Sequence, residues 1–353
     1  MKKVIHIYKT YKPFTQGGVE TYIDSIISYK DSKFEHNLLS IGNVNHTSQN
    51  IKIFKKSFSF NSDIISFPLF FYIYKNVNKK NVILHLHTPW PSMELFLNTL
   101  GFNDIVITYH SDIVRQKFIN FFYKKINIKL LNGNKIKKII VTSKIYNDTS
   151  EILEYIPKSK IEIIPIGIKD LITPIKTSPE KKKKSILFIG SNRSYKGVEL
   201  LERLIKEKNH NIIIIGSNLK KFNKFQNVKL YEDICDKDKE KIISDSYLLL
   251  MTSISRNEAF GIVLVEALRS GIPIISPNIN SGVSWINKHN ETGYQYETKN
   301  FDDMCDKINK LINIDEYSYK NMSDNAQKRY ERYFKLSEMI TRVEKIYSSI
   351  SNS

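Results

Sequence analysis

The sequence predicts two α/β domains in tandem, each built on a doubly wound parallel sheet. Apolar runs of four to six residues alternate with helical stretches along the chain, which is typical of parallel strands covered by helices on both faces. Glycine-containing turns join strand to helix in both halves. The alternation is broken over residues 173–184, where two prolines and the run Lys181–Lys184 predict an interdomain linker.

The first domain is predicted over residues 1–172. Its first strand is the apolar segment Val4–Tyr8, and the Gly17-Gly18 pair is expected to open the helix that follows. Further strands are expected near 34–41, 51–54, 81–87, 104–109, 139–141 and 161–164, with helices over 62–78, 92–100, the basic segment after Asp112, and 144–155 behind a Ser143 cap.

The second domain is predicted over residues 185–330. Strands are expected at 185–189, 211–215, 228–231, 248–252 and 274–276, with helices from about Lys196, over 237–245 and after Phe260. The last part of the chain, 331–353, is expected to cross back as a helix to the first domain. Ligands of such sheets bind at the carboxyl ends of the strands, so two such domains facing each other predict a cleft.

The composition is that of an ordinary globular protein, with 41% apolar and 25% charged residues. Cys235 and Cys305 are too few for a disulfide framework or a metal cluster and suit a reducing compartment. The N-terminus lacks the apolar core of a signal peptide, and the longest apolar region, near 64–74, is too short to span a bilayer. These observations predict a cytoplasmic protein.

The net charge of +18 calls for an anionic partner. Residues 113–147 contain no Asp or Glu but many lysines, interleaved with aromatic residues. One interpretation is a solvated helix face, and the other is an amphipathic surface that rests on anionic lipid headgroups. Nucleic acid is not expected, because no helix-turn-helix, zinc-finger or aromatic RNA-binding pattern accompanies the charge.

The stretch Ser255–Ser276 is predicted to fold as a loop, an apolar helix, a turn and a strand. A helix N-terminus in that position offers free N–H groups and partial positive charge to a ligand. Glu258 is expected at the mouth of the loop and Glu266 about two turns into the helix, roughly 80° around its axis, so that both carboxylates face one crevice.

Five segments carry a resemblance to a known family. The segment Glu258–Glu266, EAFGIVLVE, resembles the E-x7-E motif of retaining glycosyltransferases with the GT-B fold, in the branch that makes bacterial surface polysaccharides. The other four segments agree in order and approximate spacing: Gly17–Glu20 with the N-terminal glycine loop, His110–Asp112 with the cleft histidine, Tyr195–Gly197 with the phosphate-binding lysine motif, and 281–293 with the loop before the last helices.

The resemblance implies two Rossmann-like domains facing across a cleft, with acceptor in the first and nucleotide-sugar donor in the second. It implies a hexose transferred from a nucleotide-diphosphate sugar, GDP-mannose or a UDP-hexose, to a glycan or a polyprenyl-diphosphate-linked acceptor at the inner face of the plasma membrane. No metal and no other cofactor is implied. The expected catalytic residues are His110, Glu258 and Lys196, and the donor-binding residues are Gly17, Gly18, Arg193, Lys196, Glu258, Ala259, Phe260, Gly261, Ile262 and Glu266.

Each role follows from the resemblance and fits the chemistry. Lys196 and the start of the helix after Gly261 would stabilise the departing diphosphate. Glu258 would hold hydroxyls of the donor sugar, Glu266 the ribose, and His110 the sugar near its 6-position. The family usually has an arginine where Ser191 stands, so its phosphate contact falls to Arg193 or Arg256, or Lys196 acts with less help.

Several other readings compete with this one. His85 and His87 are interpreted mainly as structural, and Asp236-Lys237-Asp238, which has the D-x-D form of metal-dependent transferases, as a helix cap in a hydrophilic loop. Two other functions remain open: a sugar-nucleotide epimerase or hydrolase on the same fold, and a non-enzymatic polyanion binder.

Overall fold

The computed structural model describes residues 2–15, 17–60, 62–112, 117–171 and 184–351, with the side chains of 117–122 excepted. The chain forms two compact units, one made of Met1–Ile166 with Ser337–Ser353 and the other of Gly167–Leu336. The predicted linker lies outside the described residues, apart from Lys184.

The units do not divide at the predicted residues 172 and 331. Ile168 forms a parallel bridge with Lys335, donating its N–H to the Phe334 carbonyl at 2.9 Å and accepting from the Leu336 N–H at 3.0 Å. These bonds join the start of the second unit to its end. The sequence offers no sign of a pairing between segments so far apart along the chain.

The first unit contains an eight-stranded sheet in the order β10-β9-β8-β7-β1-β2-β4-β3, parallel except for the β3–β4 pair, and a separate antiparallel pair, β5–β6. The strands are β1 Lys3–Ile7, β2 Glu35–Gly42, β3 His46–Thr47, β4 Ile51–Lys55, β5 Phe58–Phe60, β6 Asp63–Ile65, β7 Val82–Thr88, β8 Ile105–Tyr109, β9 Ile136–Val141 and β10 Ile161–Ile163. The helices are α1 Gly18–Ile27, α2 Phe67–Asn76, α3 Pro91–Thr99, α4 Lys117–Asn132 and α5 Lys144–Thr149.

The second unit contains a six-stranded parallel sheet in the order β13-β12-β11-β14-β15-β16. Its strands are β11 Ser185–Ile189, β12 Asn211–Ile215, β13 Val228–Tyr231, β14 Leu248–Leu250, β15 Ile274–Pro277 and β16 Gly293–Tyr296. Its helices are α6 Val198–Glu207, α7 Asp236–Asp245, α8 Ile262–Arg269, α9 Gly282–Ile286, α10 Phe301–Ile312 and α11 Glu316–Tyr333. The last helix, α12 Leu336–Ser351, belongs almost wholly to the first unit.

Two predicted helices begin later than expected, for local reasons. Residues 63–65 form strand β6 instead of a helical turn, and α2 begins only at Phe67, where the Ser66 hydroxyl accepts the Leu69 N–H. Lys196 lies in a short 3-10 turn, and α6 starts after it because Gly197 takes a left-handed conformation with φ +60°. Among the described residues, none of the helices is both long and apolar enough to cross a membrane.

Candidate active site

The predicted site residues of the second unit meet where its strand order reverses. β11 lies between β12 and β14, so the chain moves away from it on one side of the sheet and later returns on the other. Ligands of open parallel sheets bind at the carboxyl ends of the strands at such a point. The loop after β11 carries Lys196 and the loop after β14 carries Glu258.

Hydrogen bonds to backbone carbonyls hold these two loops together. The Thr252 hydroxyl donates to the Lys196 carbonyl at 2.6 Å, and the Ile254 N–H donates to the Tyr195 carbonyl at 2.8 Å. A Cβ at Gly197 would overlap the Thr252 carbonyl oxygen, and φ there is +60°. Only glycine tolerates both conditions, so this position fixes where the Lys196 side chain starts.

Lys196 and Glu258 form a shielded ion pair. The Lys196 Nζ lies 2.6 Å from Glu258 Oε2, with side chains 14% and 11% exposed, and the Ser253 hydroxyl donates to the same oxygen at 3.0 Å. Burial acts to lower the pKa of Lys196, but the charge of Glu258, assisted by Tyr195 and by the direct hydrogen bond, outweighs it and raises the pKa. The ammonium therefore stays charged at neutral pH.

The loop from Glu258 to Gly261 lies before the helix, as predicted, but the predicted angle between the two glutamates does not hold. Glu258 lies outside the helix, so the expected angle of 80° between two glutamates of one helix does not apply. Gly261 takes φ +86° and ends the loop, Phe260 is buried, and Ile262 is the first residue of α8. The Ala259 carbonyl accepts the Gly282 N–H at 2.8 Å, which anchors the loop to α9.

Glu266 lies one turn into α8, not two as predicted, and is paired with Lys239 of α7 at 2.7 Å. Both side chains are mostly buried, at 15% and 24% exposed. Lys239 holds the Glu266 carboxylate in one direction, and carboxylate oxygens accept hydrogen bonds from hydroxyl groups.

Ser191 stands where the family has an arginine, and the two candidate replacements, Arg193 and Arg256, are not part of the Lys196–Glu258 ion pair. Arg193 is exposed and directly precedes the 3-10 turn of Lys196, while Arg256 lies in the loop two residues before Glu258. Ser191 accepts the Arg193 N–H through its carbonyl at 2.8 Å. Both arginines thus belong to loops of the same site, and the contact remains a prediction for either one.

In the first unit the predicted residues also lie at the carboxyl edge of the sheet. β1, β7 and β8 are neighbours, and their following segments carry Gly17-Gly18 and His110. Gly17 caps α1 and Gly18 opens it. The His110 ring stands edge-on to Tyr22 of α1, with centroids 5.3 Å apart, and this contact ties the histidine to the helix that the glycines begin.

His110 is the end of a buried row of rings that we call the histidine chain: His36, His6, His87 and His110. Nitrogen atoms of consecutive rings are 3.0, 3.1 and 3.2 Å apart. Burial lowers the pKa of His110 to about 3 and that of His36 to about 4. His110 is therefore neutral at physiological pH and is a polar group, not a cation.

A fifth buried histidine, His85, completes a cluster with metal-ligand composition. Nitrogen atoms of His6, His85 and His87 lie within 4.8 Å of one another. His85 bonds Tyr347 at 2.5 Å and Thr108 at 2.7 Å. The ring nitrogens of all three thus already have hydrogen-bond partners, so the cluster is complete without a cation. The structural interpretation of His85 and His87 agrees with these contacts.

The D-x-D segment lies at the surface. Asp236 and Asp238 are exposed in the first turn of α7, with Cys235 at the cap position, so the segment starts the helix but does not cap it.

Sequence reasoning missed residues that support the site. Lys239 gave no signal, because it stands in a hydrophilic run that resembles any exposed helix. Ser253 and Tyr22 likewise carry no motif. His6 did offer one, since it interrupts an apolar strand, and its register partner on β7 is His85.

The comparisons with known proteins agree with this geometry. Residues 172–329 match the family "Glycosyl transferases group 1". The chain is 27% identical to D-rhamnosyltransferase WbpZ of Pseudomonas aeruginosa (82% of this chain, 81% of the relative) and 25% identical to O-antigen chain mannosyltransferase C of Escherichia coli (99% of each).

Solved structures share the fold. A glycosyltransferase from Rickettsia africae has a TM-score of 0.73 at 21% identity, covering 99% of this chain and 98% of its own. Anabaena HepE, solved in complex with UDP and glucose, has a TM-score of 0.75 at 16% identity, covering 99% and 100%. Residues 172–329 are a domain of the family "Glycosyl transferases group 1", and the chain is a glycosyltransferase with the GT-B fold.

Proposed function

We propose that the protein is a retaining, metal-independent glycosyltransferase that moves a hexose from a nucleotide-diphosphate sugar to a growing surface glycan. The observation that carries the proposal is the shielded Lys196–Glu258 pair at the strand-order reversal. It places one cation and one carboxylate at the same point, as a departing diphosphate and a held sugar require.

The names of similar proteins support the substrate class. Relatives are named as a rhamnosyltransferase and as O-antigen chain mannosyltransferases, and a structural neighbour was solved with UDP and glucose. GDP-mannose and UDP-hexoses are therefore the first donors to test. The acceptor is proposed to be a glycan on a polyprenyl-diphosphate carrier, with the enzyme at the inner face of the plasma membrane.

The residues suggest how the reaction proceeds. The donor diphosphate competes with Glu258 for the Lys196 ammonium, and the released carboxylate, still held by Ser253, accepts hydrogen bonds from sugar hydroxyls. Charge that develops on the leaving phosphate is stabilised by Lys196. That phosphate takes the proton of the acceptor hydroxyl as the new glycosidic bond forms, while neutral His110 holds a hydroxyl of the sugar.

Glu258→Gln tests the proposal, because it keeps the shape and removes the charge. We expect transfer to fall by at least about 100-fold, with thermal stabilisation by the donor reduced. Arg203→Gln is a matched control in the same unit, since it breaks an ion pair with Glu207 whose side chains are about half exposed. A fully active Glu258→Gln variant contradicts the assignment. Free sugar or an epimer formed without acceptor indicates a hydrolase or an epimerase.

A further inference from the structure

The first unit exposes an unusual set of aromatic side chains. Five of them, on β5 and α2, are between 46% and 64% exposed. Exposed lysines lie near them along the chain. Together they form what we call the aromatic–lysine surface: Phe58, Phe60, Phe67, Phe71, Tyr74, Lys55, Lys56, Lys75, Lys79 and Lys80. Large aromatic residues grouped in this way on a surface indicate an interaction site.

The surface is continuous. Phe67, Phe71 and Tyr74 are spaced along one face of α2, and the Phe58 ring lies 5.8 Å from that of Phe67. Phe60 shares a strand face with Phe58, two residues away.

Its lysines lie beside the rings. The Lys75 Nζ is 4.6 Å from the centroid of Phe71, and the Lys79 Nζ is 5.8 Å from that of Tyr74. Between residues 51 and 80 the sequence has six lysines and one acidic residue, Asp63. The Asp63 carboxylate accepts the N–H and hydroxyl of Ser92, so it is held against the start of α3, and the lysines outnumber it. The surface therefore joins apolar rings to a strongly positive rim.

The surface lies at the functional edge of the unit. Lys9, just after β1, donates to the Ser62 carbonyl at 3.1 Å and to the Pro89 carbonyl at 3.0 Å. The Trp90 Nε1–H donates to the Ile64 carbonyl at 2.9 Å. These bonds attach β5–β6 to the carboxyl ends of β1 and β7, the same sheet edge that carries His110.

We propose that the aromatic–lysine surface docks the first unit onto an anionic lipid bilayer. Aromatic rings enter the boundary between headgroups and acyl chains while lysines contact lipid phosphates. An enzyme that acts on a lipid-linked acceptor needs such a membrane-binding surface, and in this respect the proposal rests on the proposed function. It differs from the sequence expectation, which placed membrane contact within residues 113–147, a segment that lies partly outside the described residues.

Vesicle co-sedimentation tests the surface without any sugar, so its result is independent of the transfer assay. Vesicles contain phosphatidylcholine with or without phosphatidylglycerol. Phe60→Ser/Phe71→Ser is expected to lower partitioning by more than about tenfold, and Lys75→Gln/Lys79→Gln/Lys80→Gln to remove the dependence on anionic lipid and salt. Tyr317→Ser is the matched control, since Tyr317 is a 76% exposed aromatic of the other unit.

Three outcomes overturn the proposal. Unchanged binding in the Phe60→Ser/Phe71→Ser variant is one. Loss of binding in Lys124→Gln/Lys125→Gln/Lys129→Gln instead assigns contact to the basic helix. A dimer in sedimentation velocity that the phenylalanine variant abolishes shows that a second copy of the chain covers the surface. Activity on a water-soluble acceptor should persist in every surface variant.

A second inference comes from the histidine chain and the groups that end it. The Ser32 hydroxyl donates to Glu344 Oε1 at 2.6 Å, and the same oxygen accepts the Lys33 N–H at 3.1 Å. Ser32 Oγ also accepts the Phe34 N–H at 3.1 Å and lies 2.9 Å from His36 Nε2. Because the single hydroxyl proton goes to the carboxylate, His36 must donate from Nε2.

The proton position on His36 determines the proton position on every other ring of the histidine chain. A neutral imidazole that donates from one nitrogen accepts at the other. His36 Nδ1 therefore accepts from His6 Nε2, His6 Nδ1 from His87 Nε2, and His87 Nδ1 from His110 Nε2. His110 is left with a bare Nδ1. We infer that Glu344 and Ser32 are positioning residues that make His110 a hydrogen-bond acceptor for a hydroxyl of the donor sugar.

Nitrogen-15 NMR of histidine-labelled protein reads the proton position directly, with His110 assigned by its loss in His110→Gln. We expect the Nε2–H form in the native protein, a mixture of both forms in Ser32→Ala, and recovery in Ser32→Thr, which keeps the hydroxyl. In the transfer assay Ser32→Ala should raise KM for the donor about threefold to tenfold and leave KM for the acceptor unchanged. An Nδ1–H form of His110 in the native protein overturns the inference, whatever the enzyme transfers.

Discussion

Acidification should selectively destabilise the first unit, because it buries five histidines that stay neutral when folded. Burial lowers the pKa of His6, His85 and His87 well below the usual 6.5, and that of His36 and His110 to about 4 and about 3. The folded state thus binds fewer protons than the unfolded state. Stability is present above pH 6.5 and is lost as the pH falls below it.

The size of the loss follows from the lowered pKa values of His36 and His110. Between pH 7.5 and 5, an unfolded histidine gains about 2 kcal/mol from protonation, since pH 5 lies about 1.5 units below its pKa. Folded His36 and His110 remain almost unprotonated there, so together they cost about 4 kcal/mol. The lowered pKa values of His6, His85 and His87 reduce stability at low pH in the same direction. Against a total stability of about 5–15 kcal/mol, this is a large change.

The two tryptophans allow the units to be followed separately, since Trp90 belongs to the first and Trp285 to the second. Urea unfolding of Trp285→Phe, followed by fluorescence at pH 7.5 and 5, reports the first unit. Trp90→Phe reports the second, whose His210 and His289 are less buried. Asp63 and Glu94 have raised pKa values from burial and act in the opposite sense.

A variant of one histidine therefore shows whether the buried histidines cause the loss of stability at low pH. Placing His36→Gln in the Trp285→Phe background should reduce the difference between pH 7.5 and 5 by about 2 kcal/mol. The reasoning is refuted if the first unit loses less than about 1 kcal/mol, or if the second unit loses as much.

Two further predictions concern the second unit. Gly197→Ala should lower its free energy of unfolding by about 2 kcal/mol or more, measured by Trp285 fluorescence, because the new Cβ meets the Thr252 carbonyl at a left-handed φ; an unchanged midpoint would show that the loop relaxes freely. Lys239→Met should raise KM for the donor several-fold with little change in kcat, because Glu266 loses the cation that orients it, and Lys239→Arg should recover most of the affinity. Equal losses in both variants would argue against that role.

The sequence predicted the doubly wound sheets and the composition of the site more reliably than its contacts. The alternation of apolar runs locates β11 and β14, and the motifs locate Lys196 and Glu258. Their 2.6 Å contact depends on which strands become neighbours, which local patterns do not encode. The Lys239–Glu266 pair was missed for the same reason, because it joins two helices.

Hydrophobic pattern also failed to show which aromatic residues are covered. The run of phenylalanines near residues 58–71 reads as a core-forming segment, yet Phe60 and Phe67 are among the most exposed apolar side chains described. Conversely, His85 lies in an apolar strand and gives a visible signal, but its partner Tyr347 comes from the far end of the chain. Periodicity predicts elements and does not predict what covers them.

The first unit is built from two segments that lie far apart in the sequence, and this affects how it folds during synthesis. Its sheet is encoded before residue 166, but α12 supplies Tyr347 to His85 and Glu344 to Ser32. A nascent chain that has emerged only through β10 therefore leaves buried polar groups without partners. The second unit is continuous in sequence, and its own late pairing, Ile168 with Lys335, precedes α12 along the chain. Synthesis of the last helix is then the event that completes the first unit.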